Sequence, residues 1–151
     1  MTTAQQKSTL TIRAPQPKDY ARMAELAAQL GYASEAGQIA KRVSGMESSR
    51  DHAAFVAELP SGEIAGWIGT FIYRCLEADA RAEISGLVVD GSLRSQGIGR
   101  RLLDRAEQWA RENGCAAIGL RSNVIRDRAH AFYERLGYRH IKTQKSFRKD
   151  L

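Results

Sequence analysis

The stretch from Glu83 to Asn113 constrains this 151-residue chain most, because it sets an apolar strand, a glycine-bearing basic loop and an amphipathic helix in immediate succession. Ile84, Leu87, Val88 and Val89 form a run suited to a mostly buried strand, and Asp90, Gly91 and Ser92 are turn residues that stop it. A basic loop opens at Arg94. From Ile98 the apolar positions Leu102, Leu103, Ala106, Trp109 and Ala110 recur at three- and four-residue steps, while Arg101, Asp104, Arg105, Glu107, Arg111 and Glu112 fall elsewhere. Gly114 suits the C′ position that closes such a helix. The helix macrodipole favours carboxylates at the N-terminal end, yet the sequence places Arg94, Arg100 and Arg101 there, so an anion is expected at this point. Gly97 and Gly99 let the main chain approach a phosphate, with free first-turn N–H groups and arginine forks as donors. The same residues also read as a solvated basic helix start after a glycine turn.

Two phosphate loops can be compared with these residues. A P-loop needs Gly, four residues and then Gly-Lys-Ser/Thr, and no such run exists here. A dinucleotide fingerprint needs a third glycine where Leu102 stands, and a carboxylate at the end of the next strand, where Leu120-Arg121-Ser122-Asn123 has none. A third pattern fits. Arg94-Ser95-Gln96-Gly97-Ile98-Gly99 resembles the Arg/Gln-x-x-Gly-x-Gly/Ala signature of the GNAT superfamily of acyl-CoA-dependent N-acyltransferases, and it follows a strand as that family requires. A second block, Ser122-Asn123, Arg126 and Ala129 to Tyr138, resembles the family's later motif, in which a strand end leads into a helix carrying a tyrosine. The resemblance runs from about Phe55 to the end of the chain and is sharp from Glu83 to Tyr138.

The resemblance implies an α/β fold in one domain, with a mixed, mostly antiparallel central sheet flanked by helices. It also implies acetyl transfer from acetyl-CoA to an amine acceptor. On that reading the backbone of Leu87, Val88 and Val89, at a bulged end of the central strand, aligns the pantetheine arm and polarises the acetyl carbonyl. Arg94, Ser95, Gln96, Gly97, Ile98, Gly99 and Arg100 hold the pyrophosphate, and Asn123 bonds the pantetheine amides or simply caps the following helix. Tyr133 stands in the general-acid position, its phenol of pKa near ~10 being matched to a departing thiolate, or is a half-buried helix tyrosine. Glu83, eleven residues before Arg94, stands where some members carry a general base acting through water; strand alternation also allows it to face solvent. Tyr20, Glu25 and Tyr32 are further candidates around the acceptor. The alternative function is an acyl-CoA-binding sensor or interaction module without efficient catalysis.

Charge is divided unevenly along the chain. Residues 1–93 carry nine Lys/Arg against eleven Asp/Glu, a balance of −2, while residues 94–151 carry fourteen against six, or +8. A polyphosphate cofactor accounts for the basic half, and with few aromatics and no nucleic-acid motif beside it, no nucleic-acid partner is expected. The acidic half suggests a cationic acceptor bordered by Glu25, Glu35 and Glu47. No apolar run approaches the ~20 residues of a membrane span, so no membrane partner is expected, and the polar start predicts a cytoplasmic protein. Cys75 and Cys115 have no metal or redox spacing and read as reduced core residues; the scattered histidines predict no metal. A homodimer is compatible with all of this.

Taken in order, residues 1–7 read as a polar start and Leu10 to Arg13 as a strand ended by Pro15 and Pro17. Helices are expected from Asp19 to Leu30 and from about Ser34 to Met46. Strands follow at His52 to Leu59 and Ile64 to Leu76, joined by a turn at Pro60-Ser61-Gly62-Glu63, and then the central strand. After the basic helix come a strand from Cys115 to Arg121, a helix from Arg126 to Leu136, and a strand pair from Tyr138 to Phe147.

Overall fold

The computed structural model describes residues 10–151; the polar start at residues 1–7 lies outside them. Two compact units make up the chain, one of the residues up to Leu120 and one of Arg121–Leu151. The first holds β1 (Thr11–Arg13), α1 (Tyr20–Leu30), α2 (Ala36–Glu47), β2 (His52–Glu58), β3 (Ile64–Tyr73), β4 (Arg81–Val89), α3 (Ile98–Glu112) and β5 (Ile118–Leu120). The second holds α4 (Asp127–Arg135). The five strands lie in sequence order and pair antiparallel, except for the parallel β4–β5 pair that follows the crossover through α3. The expected mixed, mostly antiparallel sheet is therefore present.

Local chemistry sets the element ends. Helix α1 stops at Gly31, whose φ of 104° closes a left-handed cap. Helix α2 starts with a capping box, the Glu35 side chain accepting from Gln38 N and Gln38 Oε1 accepting from Glu35 N at 2.9 Å. The β2–β3 hairpin closes through Leu59 N to Glu63 O and Gly62 N to Leu59 O, both 2.8 Å.

The core forms on both sheet faces. On one face Met23 and Leu26 of α1 and Ile39 and Val43 of α2 pack with Val56, Ile64 and Val88 of the sheet. On the other lies α3, whose stripe of Ile98, Leu102, Leu103, Ala106, Trp109 and Ala110 is buried in full, as its periodicity predicts. Leu102 and Leu103 are completely enclosed, each stabilising the fold by about 2 kcal/mol relative to exposure. A methyl group at Gly66 would lie 3.3 Å from Leu102 Cδ1, which identifies the face of β3 that α3 covers.

Two ion-pair clusters tie the elements together. Arg13 of β1 grips Asp19 through two nitrogens at 2.7 and 3.0 Å and reaches Glu58 of β2 at 2.6 Å. Arg22 of α1 donates to Ile64 O at 3.0 Å and pairs with Asp90 just beyond β4. The Ser92 N–H, with help from Arg22 and the Ser92 hydroxyl, holds the Asp90 carboxyl down at about 2. A depressed folded pKa contributes stability above the unfolded value, about 3.9, and loses it as pH falls through about 2. Asp90→Asn should therefore melt below wild type at neutral pH. The gap should close between pH 4 and pH 2, and parallel melting curves across that window would show that the clamp carries no charge-linked stability.

Several sequence expectations need correction. No strand pair forms from Tyr138 to Phe147; residues 138–151 adopt no helix or strand, and Ile141 and Phe147 are 78% and 89% exposed. The stretch from Arg139 to Phe147 has only those two apolar residues, six apart and among Arg139, Lys142 and Lys145, so it has no apolar face to bury. Strand β3 ends at Tyr73 and leaves Leu76 fully exposed, while β5 is three residues long. Cys75 and Cys115 lie outside the strands, free and only partly buried, so they are not core residues.

Candidate active site

The glycine loop follows β4 directly. Residues Gly91–Leu93 make a single tight turn, Ser95 has φ 66° and Gly97 has φ 80°. The left-handed conformation is ordinary for Gly97, whereas for Ser95 it costs about 1 kcal/mol or more. The chain thus enters α3 with Gly97 as N-cap, no side-chain cap and no acid in the first turn. The first N–H of the helix to find its intrahelical acceptor belongs to Arg101, bonded to Gly97 O at 3.1 Å. The N–H groups of Ile98, Gly99 and Arg100 precede it and have no intrahelical acceptor. Arg94, Ser95, Gln96 and Arg100 are exposed around them. A strained turn, outward donors and arginines in place of a capping carboxylate together fit a pyrophosphate.

Helix α1 fixes where this loop sits. Asp90 is held by Arg22, and Gly91 N donates to Gln29 Oε1 at 3.0 Å. Sequence reading missed Arg22 and Gln29, since two polar residues on an ordinary amphipathic helix give no signal of a partner more than sixty residues away. Beside the loop, the parallel ladder between β4 and β5 ends at Ile84–Leu120. From there to Val89, β4 is bonded within the sheet by β3 alone, so the main-chain groups of Leu87, Val88 and Val89 on the β5 side have no strand partner.

The bulge is not at Val88 and Val89, where it was expected. It lies at Ser85, since Gly69 pairs with Gly86 and Thr70 pairs with Ile84. That extra residue changes which way Glu83 faces. Cross-strand partners share a face, and Gly69 and Phe71, two apart on β3, pair with Gly86 and Glu83. Glu83 and Gly86 therefore lie on one face although they are three positions apart. Glu83 is 8% exposed, accepts from Arg81 Nε at 3.0 Å, and has room because Gly119 is opposite; a methyl group there would sit 3.6 Å from its Oε1. Solvent is not where it points.

On the same face a cavity of about 720 Å³ opens between the sheet and the two N-terminal helices. Its walls are Met23 and Leu30 of α1, Ile39 and Val43 of α2, and Trp67 of β3, and its floor is Gly69, Ser85 and Gly86. The paired glycines keep that floor low: a methyl group at Gly86 would meet the Trp67 ring at 3.0 Å, and one at Gly69 would meet Ser85 Oγ at 2.7 Å. Glycines inside strand patterns were the available sequence signal for a bulge or a close approach. Of the expected acceptor residues only Tyr32 lines the cavity; Tyr20 packs into the core and Glu25 is paired with Arg22 at 3.1 Å.

The second unit carries Asn123 and Tyr133. Asn123 Oδ1 accepts from Ile125 N at 3.2 Å, an Asx turn before α4, and the N-cap itself is Arg126. Tyr133 is half-buried, its ring edge-on to Phe132 and Tyr138 at centroid distances of 5.2 and 5.8 Å. Burial pushes the Tyr133 phenol above its ordinary pKa against the opposing charge of Arg126, so the proton is retained through neutral pH. Among the described residues no group of side chains could hold a metal ion, and no helix is long and apolar enough to cross a membrane.

Known proteins resemble this chain. The chain is 39% identical over 82 residues to an aminoalkylphosphonate N-acetyltransferase of Salmonella typhimurium, covering 54% of this chain and 53% of that protein. It therefore spans about half the length of that relative. It is 29% identical over 118 residues to an aminoglycoside N(6')-acetyltransferase type 1 of Klebsiella aerogenes, covering 76% of each. The solved structure of AAC(6')-Iy with the bisubstrate analogue CoA-S-monomethyl-acetylneamine superimposes with a TM-score of 0.82 at 17% identity, over 94% of this chain and 99% of that one, a likeness of fold. The model of the acetyltransferase (GNAT) family matches residues 20–138, a span that takes in the glycine loop, the bulged strand and the tyrosine helix; the chain belongs to that family.

Proposed function

We propose that this protein is an acetyl-CoA-dependent N-acetyltransferase acting on a primary amine, with residues 1–151 serving as a single N-acetyltransferase domain. The observation that carries this reading is the start of α3: a left-handed Gly97, outward N–H groups and flanking arginines, beside a strand that has lost its β5 partner. Acetyl-CoA supplies the activated acyl group. The N–H groups of Ile98, Gly99 and Arg100, with Arg94, Ser95 and Gln96, bind its pyrophosphate, and the open edge of Leu87 to Val89 orients the pantetheine arm, with Asn123 as a further partner. Main-chain donors preorganised along that edge stabilise the carbonyl oxygen as it gains charge, by about 3 kcal/mol each.

The acceptor nitrogen forms a bond to the acetyl carbon as the carbon–sulfur bond breaks. The amine loses one proton and the leaving thiolate gains one. Tyr133, kept protonated by its surroundings, gives the proton to sulfur. Glu83, on the cavity face, takes the proton from the amine through water once its contact with Arg81 loosens. The competing reading, an acyl-CoA-binding sensor, is supported only by its compatibility with the same loop.

The test follows free-thiol release from acetyl-CoA across a panel of amines, beside calorimetric binding of acetyl-CoA alone. The expected result is binding together with amine-dependent release for at least one acceptor class. Binding without release for any amine would leave the sensor reading in place.

A further inference from the structure

The acceptor cavity has a charge character opposite to the one the acidic N-terminal half suggests. Among the described residues that line it, Arg42 is the only charged one. Its Nη1 donates to Ser34 Oγ at 3.0 Å, and Ser34 also lines the cavity, so the guanidinium is held at the wall by one bond and keeps four N–H groups for other acceptors. The carboxylates expected there are elsewhere. Glu25 is paired with Arg22, Glu35 is committed to the α2 capping box, and Glu47 ends α2 outside the lining. Glu83 shares the sheet face but is paired with Arg81.

The remaining walls are apolar. Trp67 presents only its ring, since its indole N–H already donates to Met23 O at 3.2 Å. Met23, Leu30, Ile39, Val43 and Met46 complete a surface against which a hydrocarbon or aromatic body gains burial. A polycation would leave water for an apolar chamber with one like charge and no counter-charge, an uncompensated desolvation. An amine with an apolar body and an anionic group would bury the first on these walls and pair the second with Arg42 through a charge-assisted contact. The volume lies in the upper part of the usual range for small-ligand pockets and accommodates such a body.

We propose that the acceptor is a primary amine with an apolar body and an anionic group, a carboxylate or a phosphonate, which Arg42 binds. This rests on the N-acetyltransferase reading, and the experiment separates the two. L-Phenylalanine, its phosphonate analogue, phenethylamine and spermidine are compared as acceptors, with rates expressed per unprotonated amine, in wild type, Arg42→Gln and Arg42→Lys. Binding of each without acetyl-CoA is followed by calorimetry. Phenylalanine or its phosphonate should exceed phenethylamine in kcat/KM by about tenfold or more, the scale of one hydrogen bond to a charged group. That ratio should fall to within about threefold of unity in Arg42→Gln and recover in part in Arg42→Lys. Whichever of the two anionic twins is the better substrate identifies the source of the anion.

Preference for spermidine or phenethylamine, or a ratio that Arg42→Gln leaves intact, overturns the proposal while acetyl transfer stands. Absence of acetylation with Arg42-dependent phenylalanine or phosphonate binding overturns the transferase reading and upholds the anion site. Absence of both overturns the anion site as well.

Discussion

Gly99→Glu should abolish acetyl-CoA binding in a protein that melts no lower than wild type. Gly99 is the second residue of α3, next to N–H groups that have no acceptor in the helix. A carboxylate at a helix start is favourable for the isolated fold, by about 0.3–1 kcal/mol, because it answers the dipole that Arg94 and Arg100 aggravate. The same charge is repelled by a pyrophosphate in that place. One pair of like charges about 5 Å apart costs on the order of 3 kcal/mol at an effective dielectric of about 20, or roughly 10²-fold in affinity, and the side-chain volume adds to it. Calorimetry and a thermal melt on the same sample test both halves. Unchanged affinity would remove the loop from the cofactor site, and a large drop in melting temperature would show that Gly99 is required by the fold instead.

Tyr133→Phe should lower kcat by about 10²-fold or more while the KM for acetyl-CoA stays within about threefold. The hydroxyl acts on charge that develops only as the thiolate departs, so it contributes to the transition state and hardly to the bound ground state. Phenylalanine keeps the ring that packs edge-on to Phe132 and Tyr138, so the helix is expected to survive. The pH profile adds a second check. Because burial raises the Tyr133 pKa, the acid form persists into basic solution, and no falling limb from this group should appear below about pH 10 in wild type. A full-rate variant would mean that water protonates the sulfur.

The central strand, the basic loop and α3 are legible in the sequence because their signals are local: turn residues, a 3.6-residue stripe and a dipole with the wrong charges beside it. Every apolar position expected on α3 is buried. Features set by distant residues were not legible. Glu83 could be placed on the strand, but its face depends on the extra residue at Ser85, and only the pairing with Gly69 reveals that. The acidic count of the N-terminal half was correct as a sum and misleading as a field, since Glu25 and Glu35 are consumed by Arg22 and by a helix cap. The C-terminal strand pair failed for a similar reason: Ile141 and Phe147 read as strand residues one at a time, while a strand needs a continuous apolar face to stay paired.

The bulge at Ser85 makes the central strand a parity counter. Drawing Ser85 into the ladder opposite Thr70 would leave the loop, α3 and the pairing of Gly86 through Val89 in register, yet rotate everything before it by half a pleat. Glu83 would then turn against Leu102 and its neighbours under α3, and Ala82 and Ile84 would turn toward the acceptor chamber. An alignment that moves a gap by one position here would misassign the base while every motif still matched. Deleting Ser85 outright, by contrast, would leave a regular ladder in which Gly86, Ile84 and Glu83 keep their present partners and faces.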